Sequence, residues 1–69
     1  MTFRQWLRQH LREDTALGDL ARDFQADRCM PRQARTEEAQ REHLEGHGAI
    51  QAALDVHAQA WEQYRTETA

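Results

Sequence analysis

Ile50, Ala53, Leu54, His57, Ala58, Trp61 and Tyr64 recur at intervals of three and four residues, and no other feature of the chain restricts its fold as strongly. That spacing places them along one side of an α-helix, not on the alternating faces of a strand. A stripe of this kind must be covered by apolar side chains from elsewhere in the chain. Phe3, Trp6, Leu7, His10 and Leu11 supply one cover, and Leu17, Leu20, Ala21 and Phe24 another. Ala39, His43 and Leu44 give a thin third stripe. The pattern predicts an all-α fold of four short helices.

Local signals set the boundaries. Thr2 and Gln5 have capping-box spacing, so the first helix starts there and runs to about Arg12 or Glu13. Asp14 and Thr15 are both good N-caps for a second helix ending near Asp27. Gly18, inside its first turn, would let another helix approach closely. Pro31 stops any helix and biases Met30 away from α geometry, which leaves an irregular stretch up to Arg35. Thr36 followed by Glu37 and Glu38 reads as the third N-terminus, and Gly46, His47 and Gly48 as its end. The fourth helix then extends to Tyr64 or Arg65, with Thr66 to Ala69 fraying.

With 69 residues the chain can enclose one core, so a single domain over residues 1–69 is expected. Its predicted members are Phe3, Trp6, Leu7, Leu11, Leu17, Leu20, Phe24, Leu44, Ile50, Leu54, Trp61 and Tyr64. A mean hydropathy of −1.01 and 30% charged residues alone lean toward disorder, but the helical spacing of the aromatic residues argues for a folded domain. Cys29 is the only cysteine, so no internal disulfide can form, and it reads as a small buried hydrophobe. No secretory h-region and no stretch of about 18 apolar residues is visible, which predicts a cytoplasmic protein without a membrane anchor. All nine basic residues are arginine, a bias that points to a G+C-rich coding genome more than to guanidinium chemistry.

The succession Asp14, Gly18, Asp19, Leu20, Ala21 and Asp23, then Asp27 and Pro31, then Leu44, and finally Ala60, Trp61 and Tyr64 resembles the YozE-like family. Phe3, Trp6 and Leu7 fit its aromatic first helix, so the resemblance spans nearly the whole chain. It implies a small four-helix domain with a sterile-alpha-motif-like fold from the bacterial cytoplasm, and it supplies no catalytic residue. The sequence departs from the family pattern at His43 and His57, where Tyr-like and Phe-like residues are expected.

Chemistry-bearing groups are sparse. His43 and His47 lie four apart and could present two imidazoles to a metal, with Cys29 or His10 as distant further ligands. Their order is not that of the H-E-x-x-H zinc motif, and Gly46 falls between them. His10 and His57 sit on apolar stripes, where a neutral hydrogen-bonded imidazole is the usual state. No nucleophile motif, phosphate loop or cofactor signature is present, so no enzyme activity and no small-molecule substrate is expected.

Charge is more informative. Arg4, Arg8 and Arg12 form a basic stripe along the first helix, and Arg28, Arg32 and Arg35 cluster about Pro31. Asp19, Asp23 and Asp27 make an acidic stripe on the second helix. Like charges four apart each cost a helix a few tenths of a kcal/mol, so groups of opposite sign should offset them, within the molecule or on a second protein. Charge segregated in this way suits steering between complementary surfaces. The leading expectation is a non-enzymatic module that binds a protein, or itself, through these charged residues. Nucleic-acid binding by the arginines is the alternative, opposed by a net charge of −3. Metal binding by His43 and His47 is a remote third.

Overall fold

The computed structural model describes residues 1–69 and contains helices α1 (Phe3–Arg8), α2 (Ala16–Ala26), α3 (Glu37–Gly46) and α4 (Gln51–Thr68). Three of these helices begin at the predicted threonines. Gln5 N–H donates to Thr2 Oγ1 at 3.2 Å while Thr2 N–H donates to Gln5 Oε1 at 2.9 Å, which completes the capping box of α1. Thr15 and Thr36 accept from Gly18 and Ala39, both at 3.1 Å, in α2 and α3. At the far end of α3, Gly48 takes φ +80°, a backbone conformation costly to any residue with a Cβ.

Helices α1, α2 and α4 pack on one another, whereas α3 packs on α4 alone. Phe3 sits at the centre. Its ring stacks on Trp61 at 4.4 Å, with Trp6, Phe24, His57 and Tyr64 also within about 6 Å. Leu7, Leu20, Ala21 and Ala60 complete this core, and Leu11, Leu17, Val56 and Tyr64 are half-buried against it. Leu54, Met30 and Ala34 are buried as well, and Leu44 is half-buried.

Several expectations are corrected. Helix α1 ends at Arg8, not at Arg12 or Glu13, and the chain continues in tight turns through Glu13. The cause lies in α2. Arg22 donates to the carbonyls of Leu11 at 2.7 Å and Glu13 at 3.1 Å, and a Cβ at Gly18 would meet Glu13 O at 2.0 Å. Gly18 thus admits the returning turn and not another helix. Ile50 is 70% exposed because it is the N-cap residue of α4 and precedes its apolar stripe. Cys29 is exposed, and it is Met30 that enters the core.

At the C-terminus, α4 runs to Thr68 where fraying from Thr66 was predicted. Trp6 Nε1–H donates to Glu67 Oε1 at 2.9 Å, and the Thr66 and Thr68 hydroxyls donate to carbonyls one turn back. The hydrogen bond from Trp6 holds the Glu67 carboxyl below its ordinary pKa, with Gln63 adding to the effect. Tyr64 OH donates to Met1 O at 2.6 Å, so the last helix also fixes the start of the chain.

Candidate arginine face

Helix α1 places Arg4 and Arg8 one turn apart on its outer side. The loop from Asp27 to Thr36 carries Arg28, Arg32 and Arg35, and its path is set by polar contacts at both edges. At one edge Asp27, just past the end of α2, accepts backbone N–H groups from Cys29 at 2.8 Å and Met30 at 3.2 Å. The same carboxylate accepts the Nε2–H of His43 on α3 at 3.0 Å. Burial works to raise the Asp27 carboxyl, but His43 and the two backbone donors outweigh it and hold its pKa below the ordinary value. At the other edge Arg4 donates to Pro31 O at 2.6 Å. That hydrogen bond makes Arg4 a strut between α1 and the loop, although its Nε–H is buried without a partner.

The outcome is that Arg4 and Arg8 of the first arginine group share one face with Arg28, Arg32 and Arg35 of the second. A groove of about 470 Å³ is lined by Arg4, Arg8, Arg28 and Arg32 over Leu7, Ala21, Phe24 and Met30, with Gln25 and Asp27 at its edge. A second groove of about 800 Å³ is bordered by Arg4, Arg8, Arg32 and Arg35 and reaches Gln40 and Tyr64. Arg4, Arg8 and Arg32 border both, so the two grooves adjoin along these side chains. Gln25, in the last turn of α2, joins the lining of the first groove although nothing in its local sequence marks it.

Arg12 borders neither groove. The stripe predicted from the sequence needed α1 to continue, and the turn after Arg8 carries Arg12 away. The acidic stripe is likewise divided. Asp19 pairs with Arg22, Asp23 is exposed, and Asp27 has left the helix to cap the loop.

The pairing of the arginines separates them into two sets. Arg22 pairs with Asp19, Arg41 with Glu45, and Arg65 with Glu37 and Glu62. Arg4, Arg8, Arg12, Arg28, Arg32 and Arg35 form no ion pair, although the chain has 12 acidic residues for nine basic ones, and all of these but Arg12 border the grooves. Like charges gathered without counter-charges repel one another, and an anionic occupant would relieve that repulsion.

The histidines have other duties. The rings of His43 and His47 lie 4.3 Å apart, but His43 is committed to Asp27, and no group of three or more His, Cys, Asp or Glu side chains converges as a metal site. His10 packs on Trp6 at 4.7 Å and pairs with Glu13. His57 is buried, and its Nε2–H donates to Gln40 Oε1 at 2.9 Å. No helix is long and apolar enough to cross a membrane.

In comparison with known proteins, the family model described as YozE SAM-like fold matches residues 2–66 of the chain. No curated protein and no solved structure matches it.

Proposed function

Since the chain belongs to the family with the YozE SAM-like fold, we propose that it is a non-enzymatic interaction module of the bacterial cytoplasm that binds a protein partner through its arginine face. The observation that carries this reading is the unpaired state of Arg8, Arg28, Arg32 and Arg35 around two adjoining grooves. Neither groove holds a nucleophile beside a base, and the carboxylate nearest to hand, Asp27, is occupied by His43 and two backbone donors. The chemistry that remains is recognition of negative charge.

Affinity capture from the native cytoplasm, run in parallel with wild-type chain and with Arg8→Glu/Arg32→Glu, tests the reading. A protein retained by the first and released by the second, and binding again as a purified pair in a salt-sensitive manner, is the expected result. Capture indifferent to the substitutions would refute it. Duplex DNA bound with an affinity that falls steeply with salt would transfer the face to nucleic-acid recognition.

A further inference from the structure

We propose that the occupant of the arginine face is a short acidic protein segment, of about eight residues in extended form, laid along both grooves; this rests on the interaction-module reading above. Length is the first argument. The whole domain extends 28 × 25 × 20 Å, and an extended chain advances about 3.3 Å per residue, so a segment of about eight residues is long enough to cross any face of it. Arg28 borders only the first groove, Arg35 only the second, and Arg8 and Arg32 both. Carboxylates near the ends and middle of such a segment would each meet a guanidinium group, the pairing for which arginine geometry is best suited.

The surroundings separate an acidic segment from a longer polyanion. Beyond the face the exposed surface carries carboxylates without ion-pair partners, Glu38 and Glu42 on α3 and Asp23 on α2. Charges repel over a Debye length of about 8–10 Å at moderate salt, so a nucleic-acid strand continuing past the face meets repulsion that a short segment avoids. Asp27 adds a local restriction. Its carboxylate stays ionised at the edge of the first groove, where a regular run of phosphates would be opposed. A peptide can place a neutral or basic residue, or a backbone N–H, at that point.

Fluorescence anisotropy on the full chain tests the assignment with a labelled peptide of eight residues in which Glu alternates with Ser. Controls are the same peptide with Gln for Glu, a single-stranded oligonucleotide of equal charge, and the chains Arg8→Glu/Arg32→Glu and Arg8→Gln/Arg32→Gln. Both residues are exposed, and circular dichroism is to be used to check that each variant is folded. The expected result is saturable binding of the acidic peptide, about tenfold or more weaker for either variant and lost with the Gln peptide. Equal binding by wild type and variants would overturn the proposal, as would oligonucleotide binding at least as tight as that of the acidic peptide. Concentration-dependent association of the pure chain, abolished by the same substitutions, would also overturn it by making a second copy the occupant. Failure of the peptide while charge-dependent capture of a folded protein succeeds removes this inference and leaves the interaction-module reading standing.

Discussion

Beneath α3 and across the arginine face the molecule handles polar side chains in opposite ways. Gln40 is 1% exposed, and its Oε1 accepts from both His57 Nε2–H and Trp61 Nε1–H at 2.9 Å while its Nε2–H donates to Ala34 O at 3.0 Å. Every one of those groups is uncharged, and together they join α3, α4 and the end of the loop. By contrast Arg8, Arg28, Arg32 and Arg35 are exposed and without counter-charges. Neutral polar groups can be buried cheaply once each finds a partner, whereas charges cannot. The first set therefore helps join α3 to the core, and the second takes no part in an ion pair within the molecule.

Removing Gln40 gives the most severe test of that division. Gln40→Leu keeps an apolar volume in place but strands two buried N–H donors and a carbonyl, each costing about 1–3 kcal/mol. A domain of this size has roughly 3–10 kcal/mol of total stability, so a loss of about 3 kcal/mol or more should remove much of it. Urea unfolding measures the change; a loss below about 1 kcal/mol would show that α3 is held by other contacts.

The same junction predicts a pH dependence. Burial, reinforced by Arg41 and opposed by Glu37, lowers the pKa of His57 below its ordinary value of 6.5. Between the folded and unfolded values only the unfolded chain takes up the proton. Stability contributed by neutral His57 is therefore fully present above pH 6.5 and declines as the pH falls toward the folded value, with a slope approaching about 1.4 kcal/mol per pH unit. In His57→Phe the ring can still lie between Phe3 and Phe24, and the unpartnered Nδ1 is removed. Its urea midpoints between pH 7 and pH 5 should lack this decline; an identical decline in both proteins would assign it to other groups.

The two regions also differ in how well the sequence reveals them. Thr2, Thr15 and Thr36 act through neighbours three residues away, so the starts of three helices could be read from local order. The aromatic stripes likewise reported the core around Phe3. Gln40 gave no such sign, because a glutamine on a helix reads as surface until its buried partners on α4 are known. Ile50 misled in the reverse sense, its apolar character concealing a position at the end of a turn. The end of α1 was invisible for a third reason, since it is decided by Arg22, more than a helical turn away in sequence. The arginine groups were legible as groups. Their convergence was not, because it depends on Arg4 reaching Pro31 and on Asp27 reaching α3.

Arg12 provides the finest test, since the linear pattern and the folded surface disagree about it. A straight helix would align it with Arg4 and Arg8, and neutralising Arg8 or Arg12 would then weaken acidic-peptide binding equally. In the structure Arg8 borders both grooves and Arg12 borders neither. Both are exposed, so Arg8→Gln and Arg12→Gln should each change stability by less than about 0.5 kcal/mol. Binding separates them. Arg12→Gln should alter the affinity by less than about twofold, the size expected of a charge acting only through screened solvent, whereas Arg8→Gln loses a direct charge-assisted contact and should cost several-fold more. Equal losses in an anisotropy titration would mean that α1 continues to Arg12 in solution, which would restore the uninterrupted stripe and undo the separation between the paired interior and the unpaired face.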